Sequence, residues 1–152
     1  MLDEIQRLAH GLNEEGLRVV AVATKHQGKD QLHYSVADEA DLTLMGYVAF
    51  LDPPKEGVRE ALSALARHGV AVKILTGDNE VVTRKICRDV DLHIDHILLG
   101  REIEAMSDEA LGAVVEQTQV FAKLSPGQKA RVIQALRARG HVVGYLGDGI
   151  ND

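Results

Sequence analysis

The pattern of hydrophobic positions changes part-way along the chain, and its first part predicts one helix followed by two strands. The helix has apolar residues three or four positions apart, namely Leu2, Ile5, Leu8 and Leu12. Gly16 is suited to end it. The β-branched run at 18–24 predicts a strand, polar residues 25–40 predict a surface loop, and a second strand is predicted over about 43–51. Because no helix separates the two strands, we expect them to pair antiparallel.

Asp52-Pro53-Pro54 interrupts this pattern. Two successive prolines fix φ twice and cannot continue a sheet ladder. They suit the first turn of a helix, with Asp52 as its N-cap. We therefore predict a hinge between two domains at Asp52, Pro53 and Pro54.

Beyond the hinge, apolar strands alternate with amphipathic helices. Strands are predicted at 70–75, at about 94–99, at 120–122 and at 141–146. Helices are predicted from about 58 to Gly69, at about 80–89, from Ser107 onward and from Ser125 to Gly140. The last helix has a complete start, with Ser125 as N-cap, Pro126 at the first position and Gln128 at the third. The alternation predicts an α/β fold with a doubly wound parallel sheet.

Composition narrows the class of protein. Hydrophobic residues make up 45% of the 152 residues and charged residues 26%, which is typical of a soluble globular protein. The net charge of -6, without a basic stripe, argues against nucleic acid as a partner. Cys87 is the only cysteine, so no intrachain disulfide can form and a cytosolic setting is expected. No apolar run approaches the roughly 20 residues needed to cross a bilayer.

Polar residues follow the predicted strands. Thr76-Gly77-Asp78 comes directly after one strand, and Lys123 and Lys129 come after another. Because ligands of such sheets bind beyond the carboxyl ends of the strands, these residues are expected to converge on one rim. These residues suit a phosphoryl group, which spreads negative charge over its oxygens. Thr76 offers a hydroxyl, Gly77 lets the backbone approach closely because it has no Cβ, and Lys129 offers a positive charge. Taken singly, T-G-D is also a common turn and Lys129 could be a solvated helix residue.

Gly147-Asp148-Gly149-Ile150-Asn151-Asp152 follows the last predicted strand. Asp148 can hold Mg²⁺, which takes oxygen ligands and usually only one or two protein carboxylates, while Asn151 and Asp152 can orient the other ligands. Asp-Gly also favours tight hairpin turns, so a turn is the alternative interpretation. Asp52 is expected to reach the same rim through the hinge. The chain ends where a supporting helix is expected, which suggests a piece of a larger protein.

Two other groups of residues have plain structural interpretations. His93, Asp95 and His96 could be metal ligands, but alternation places His96 on the opposite strand face and no second cluster completes a site. A solvated loop or edge strand is favoured for them. Cys87 lies among apolar residues of a predicted helix and is expected to be a small core residue.

Four segments in order resemble the cytoplasmic core of P-type cation-transporting ATPases, which belong to the haloacid dehalogenase-like superfamily. They are D-P-P-K at 52–55, T-G-D at 76–78, F-A-K-L-S-P-x-x-K at 121–129 and G-D-G-I-N-D at 147–152. Residues 46–56 are most similar to bacterial magnesium-importing members. The resemblance implies that residues 1–51 form the C-terminal, α+β part of a nucleotide-binding domain. Residues 52–152 would form an incomplete haloacid dehalogenase-like phosphorylation domain.

The resemblance also implies roles for individual residues. Thr76, Gly77 and Asp78 would contact the phosphoryl group and the nucleotide phosphates, and Lys129 would stabilise the transferring phosphate. Lys123 would lie near the nucleotide, and Arg18 would reach bound ATP from the nucleotide-binding domain. The remaining roles fall on the last motif: Asp148 would bind the catalytic Mg²⁺, Asp152 would lie in or beside its coordination shell, and Asn151 would contact a phosphate oxygen.

One motif of the family is absent from these 152 residues. P-type ATPases are phosphorylated on the aspartate of D-K-T-G-T, which does not occur here and is expected upstream of Met1. The implied function is that of a soluble catalytic part of an integral membrane pump, on the cytoplasmic face of the plasma membrane. Its partners would be ATP, a transported divalent cation and the other domains of the same polypeptide. The alternatives are a non-catalytic nucleotide- or magnesium-binding piece and a separate haloacid dehalogenase-like phosphatase, which would need an Asp-x-Asp strand near its start.

Overall fold

A computed structural model describes residues 2–26, 33–51 and 53–147. The chain divides into two compact units, Met1–Asp52 and Pro53–Asp152. Each unit is described by itself. Asp52 and the residues from 148 to 152 lie outside the described ranges.

The first unit is a helix and a two-stranded sheet. Helix α1 (Leu2–Glu14) leads into strand β1 (Leu17–Thr24) through Gly16, whose φ of 88° a residue with a Cβ rarely adopts. Strand β2 (Thr43–Leu51) pairs antiparallel with β1 across its full length, with one irregularity after Val22. The Tyr47 hydroxyl donates to the Ile5 carbonyl at 3.4 Å and fastens β2 to α1. The predicted helix and antiparallel pair are confirmed.

The second unit contains five helices and three strands within its described residues. The helices are α2 (Val58–Arg67), α3 (Glu80–Asp89), α4 (Gly100–Ala105), α5 (Asp108–Val114) and α6 (Pro126–Ala138). The strands are β3 (Ile74–Leu75), β4 (Ile97–Leu99) and β5 (Val120–Ala122). They form one parallel sheet in the order β3-β5-β4. Since β5 is central, the ends of β3 and β4 flank the end of β5.

Helices cover both faces of this sheet, which confirms the doubly wound arrangement. On one face, Phe121 of β5 packs with buried residues of α5 and α6 such as Leu111 and Val132. On the other face, Val120 of β5 packs with Cys87 of α3. The alternation follows from the two-residue repeat of a strand, which turns neighbouring side chains to opposite faces. Cys87 is fully buried, as predicted for a core residue.

The predicted helix start at Asp52 is wrong. Helix α2 begins at Val58, and its N-cap is Gly57 in the left-handed conformation at φ 81°. Pro53 and Pro54 precede the helix in irregular backbone. A proline disfavours the α conformation in the residue before it, so Pro54 keeps Pro53 out of a helical turn.

The predicted strands are longer than the observed ones. Only the last two residues of 70–75 and the last three of 94–99 form strand, and 141–146 forms none. A strand needs a hydrogen-bonded neighbour, and within the described residues neither β3 nor β4 pairs with 141–146. Val142 and Leu146 in that segment are fully exposed. Helix α4, which directly follows β4, was not predicted.

Candidate functional site

The loops that follow β3 and β5 are joined by main-chain hydrogen bonds. The Thr76 N–H donates to the Phe121 carbonyl at 3.0 Å and extends the parallel ladder by one residue. The Thr76 carbonyl then accepts from the Leu124 N–H at 3.0 Å, and the Asp78 carbonyl accepts from the Lys123 N–H at 2.8 Å. The structure therefore brings Thr76, Gly77 and Asp78 together with Lys123 at the carboxyl edge of the sheet.

Thr76 and Asp78 form a closed turn through their side chains. The Thr76 hydroxyl donates to Asp78 Oδ2 at 3.0 Å, and the Asp78 N–H donates to Thr76 Oγ1 at 3.1 Å. A Cβ at Gly77 would lie 3.5 Å from the Leu124 carbonyl oxygen, an ordinary contact. The fold itself thus tolerates a Cβ at Gly77. A phosphate oxygen could take the hydroxyl donor of Thr76 only by displacing Asp78.

Lys123 has an unusual backbone that the surrounding segments hold in place. Its φ is 54°, in the left-handed region where residues other than glycine are uncommon. Its N–H is bonded to Asp78, and its carbonyl lies against Gly100 at the start of α4. A Cβ on Gly100 would come within 2.2 Å of the Lys123 carbonyl oxygen, so only glycine fits there. The ends of all three strands therefore meet around Lys123.

Lys129 lies at the start of α6 and is buried. The predicted capping box is confirmed, since Ser125 Oγ accepts from the Gln128 N–H at 3.3 Å and Gln128 Oε1 accepts from the Ser125 N–H at 3.0 Å. Lys129 follows in the next position and is 7% exposed, which excludes the solvated-lysine alternative.

Gln128 joins two helices at this edge. Besides capping α6, its Nε2 donates to the Gly100 carbonyl at 3.0 Å and to Glu104 Oε2 at 2.7 Å. The second contact is on the surface, but the first ties the start of α6 to the start of α4. Sequence reasoning treated Gln128 only as a capping residue and did not single out Gly100. The position of Gly100 directly after an apolar strand was the available signal.

Glu80 is a second residue that sequence reasoning missed. It is the first residue of α3, and its Oε2 lies 3.4 Å from Lys123 Nζ. A hydrogen bond from its own backbone N–H lowers the pKa of Glu80, and the charges of Lys123 and Arg101 lower it further, against the opposing effect of burial. Arg101 follows Gly100 in α4. The edge thus carries a carboxylate between two cations.

A comparison with protein families places this fold. A family model described as a haloacid dehalogenase-like hydrolase matches residues 3–152. The chain belongs to the haloacid dehalogenase-like hydrolase family. This confirms the predicted fold class, an incomplete haloacid dehalogenase-like α/β fold. The family assignment also agrees with the parallel sheet and the polar residues at its carboxyl edge.

The relatives with the same domain are ion-transporting ATPases. The chain is 50% identical to the magnesium-transporting ATPase, P-type 1, of Salmonella typhimurium and of Escherichia coli K12, over all 152 residues. It is 34% identical to a calcium-transporting ATPase of Listeria monocytogenes, also over 100% of this chain. The chain spans 17–18% of the length of these relatives. The predicted similarity to P-type ATPases that transport magnesium is thereby confirmed.

The remaining predicted site residues lie outside the described ranges or in the first unit. Asp148, Asn151 and Asp152 lie outside the described residues, as does Asp52. Arg18 is an exposed residue of β1 and belongs to the first unit.

The described residues contain no metal site and no membrane-spanning helix. His93 and Asp95 form an ion pair at 3.2 Å with side chains 91% and 94% exposed, so the solvated interpretation is confirmed for this pair. Among the described residues, no group of three His, Cys, Asp or Glu side chains is arranged to hold a metal ion. Over the same residues, no helix combines the length and apolar character of a membrane span.

Proposed function

We propose that this chain is the phosphoryl-transfer part of an ATP-driven P-type pump for a divalent cation, most simply Mg²⁺. The observation that carries the proposal is the hydrogen-bonded junction of the Thr76–Asp78 turn with Lys123, next to a helix start that buries Lys129. Such a junction fixes a hydroxyl and positive charge at one edge of the sheet, and phosphoryl transfer requires donors and cations placed in advance. The identity of 50% to magnesium-transporting ATPases, against 34% to a calcium-transporting one, supports Mg²⁺ as the transported ion.

The proposed reaction moves the γ-phosphoryl group of ATP to an aspartate. A carboxylate oxygen attacks the γ-phosphorus, the bond from that phosphorus to the bridging oxygen breaks, and ADP leaves with the electron pair. Water later cleaves the acyl phosphate to release inorganic phosphate and restore the aspartate. None of these 152 residues lies in a D-K-T-G-T motif, so the nucleophile would come from another part of a longer polypeptide.

Each described residue then has a part in holding the phosphoryl group. Once displaced from Asp78, the Thr76 hydroxyl would donate to its oxygens, Gly77 would let them approach the backbone closely, and the Lys129 ammonium group would offset the charge that develops on them. Lys123 neutralises a neighbouring phosphate of the nucleotide. Asp148 and Asp152 are the carboxylates that would hold Mg²⁺, which offsets phosphate charge when bound, and Asn151 would contact a phosphate oxygen.

The split of the chain into compact units Met1–Asp52 and Pro53–Asp152 supports a proposal of two domains. Residues 1–51 would form the C-terminal part of a nucleotide-binding domain, in which Arg18 would contact ATP. Residues 52–152 would form the phosphorylation domain, with the hinge at Asp52, Pro53 and Pro54. In the pump, both would lie on the cytoplasmic face of the plasma membrane and work with the remaining domains of the same polypeptide.

A chimera tests the proposal. The segment of the Escherichia coli magnesium-transporting ATPase that aligns with this chain is replaced by the chain, and acid-stable label from γ-³²P-ATP is measured. We expect the chimera to form phosphoenzyme. Lys129→Ala should slow labelling about 100-fold, equivalent to about 3 kcal/mol of transition-state stabilisation. Lys85→Ala is the matched control, because Lys85 is a half-buried lysine of α3 that pairs with Asp89, and it should label normally.

Two outcomes would contradict the proposal. One is a chimera that reaches the membrane in normal amount, shows the tryptic pattern of the unmodified pump and yet forms no phosphoenzyme. The other is a Lys129→Ala chimera that is labelled at the unmodified rate.

Because D-K-T-G-T does not occur in these 152 residues, we also propose that the isolated chain is catalytically inactive. The purified 152 residues should bind nucleotide without turning it over. Release of phosphate from ATP by the purified chain, above that of a denatured sample, would support an independent phosphatase instead.

A further inference from the structure

The ion pair between Glu80 and Lys123 is built by the fold on both sides. Asn79 Oδ1 caps α3 by accepting from the Val81 and Val82 N–H groups, both at 3.0 Å, and this cap fixes Glu80 as the first helical residue. Opposite, the left-handed backbone of Lys123 is anchored by its bond to Asp78. The backbones of Glu80 and Lys123 are both held in place near each other. The ion pair therefore does not depend only on the flexibility of two long side chains.

A carboxylate at this place opposes the proposed ligand. Glu80 Oε2 lies 3.4 Å from Lys123 Nζ, and the positive charge of Arg101 also acts on Glu80. An anionic phosphate that approaches Lys123 must share this cation with Glu80 and is itself repelled by the carboxylate. At the start of a helix without such a carboxylate, an anion would find only favourable charge.

We propose that Glu80 sets the affinity of the site for nucleotide phosphates by competing with them for Lys123. The inference rests on the proposed function and adds to it that this carboxylate weakens nucleotide binding. The consequence for a pump is that nucleotide leaves readily once the phosphoryl group has been transferred. Glu80 is therefore a residue that tunes affinity, and it takes no part in the chemical step.

Binding of nucleotide to the 152-residue chain tests the inference. ATP is titrated into ¹⁵N-labelled protein, and the dissociation constant is taken from the amide shifts of the Thr76–Asp78 turn. Glu80→Gln, which removes the charge and keeps the shape, should tighten binding about three- to fivefold, because the half-exposed pair holds Lys123 about that strongly. Lys123→Gln should weaken binding. In the double variant, the effect of Glu80→Gln should fall to less than twofold.

The sign of the Glu80→Gln effect separates tuning from a merely structural role. If Glu80 only supported the fold, its substitution would weaken ATP binding. Competition instead predicts tighter binding, and the gain over the wild type should become smaller as the salt concentration is raised. Glu109→Gln is the matched control, since Glu109 also lies in the first turn of a helix and is not part of the site. It should leave the dissociation constant unchanged. Equal or weaker binding of ATP by Glu80→Gln would overturn the inference.

The chimera separates this inference from the proposed function. Phosphoenzyme formed at saturating ATP reports the function, and the ATP concentration for half-maximal labelling reports the inference. A chimera that labels normally but has the same half-maximal concentration with Glu80→Gln would contradict only the inference. A chimera without label would contradict the function, and the titration of the chain would still decide the role of Glu80. No binding and no label together would overturn both.

Discussion

The contact between Gly100 and Lys123 makes a quantitative prediction for Gly100→Ala. A Cβ at this position would lie 2.2 Å from the Lys123 carbonyl oxygen and 2.6 Å from Gln128 Oε1. Separations under 3.0 Å are essentially not found for real Cβ atoms. The Gln128 side chain can turn away, but the Lys123 carbonyl belongs to a backbone that is hydrogen-bonded to Asp78. Its movement would strain the whole strand-end junction.

The expected cost follows from two unfavourable changes and one favourable change. Insertion of a methyl group against a fixed backbone costs about 1–3 kcal/mol. Loss of the Gln128 to Gly100 hydrogen bond, now 3.0 Å, adds about 1 kcal/mol. Replacement of glycine by alanine in a helix returns at most about 1 kcal/mol, and less at the first position of α4. We expect Gly100→Ala to destabilise the second unit by about 2–3 kcal/mol.

Urea unfolding followed by circular dichroism measures this cost. Gly112→Ala is the matched control, because Gly112 lies inside α5 and a Cβ there would meet nothing within 4 Å. That control should raise stability by about 0.5–1 kcal/mol through helix propensity alone. If Gly100→Ala proved as stable as the wild type, or gained stability as Gly112→Ala should, the close approach of α4 to Lys123 would be refuted.

Two further predictions concern a helix cap and a surface cluster. Asn79→Ala should cost about 1 kcal/mol in urea unfolding, since two N–H groups of α3 lose their acceptor, while Asn79→Asp should keep most of that stability. Hydrogen bonds from Arg139 and His141 lower the pKa of Glu116 from 4.5 to about 2, so its stabilising effect is complete above pH 4.5 and is lost as the pH falls towards 2. The stability difference between wild type and Glu116→Gln should therefore shrink over that interval in urea midpoints, and a constant difference would contradict the pairing.

Sequence reasoning succeeded where the deciding interactions are local. The start of α6 was predicted residue by residue, because the capping bonds between Ser125 and Gln128 involve only these two residues and Pro126 needs no partner. The strand at 120–122 was also predicted, and the two-residue repeat of a strand explains why Phe121 and Val120 face different layers of helices. The meeting of the Thr76–Asp78 turn with Lys123 at the carboxyl edge followed from the parallel sheet.

Features that depend on distant partners were missed. The segment 141–146 has the composition of a strand, but composition does not supply a hydrogen-bonded neighbour. The start of α2 was misplaced because the left-handed backbone of Gly57 decides it. The role of Gly100 was not visible either, since the atom that excludes a side chain there is the carbonyl of Lys123, over twenty residues away in sequence.

The framework of the site is made largely of main chain. Thr76, Asp78 and Lys123 join the strand ends through N–H and carbonyl groups, which any residue except proline supplies. The Thr76 and Asp78 side chains also close their turn, so their substitution should affect both the turn and ligand binding. Substitution of the Lys123 side chain should change ligand binding with little effect on stability. Gly100 is the opposite case, because any side chain there displaces the main chain itself. Loss of function with retained stability at Lys123, and loss of stability at Gly100, would be the signature of this separation.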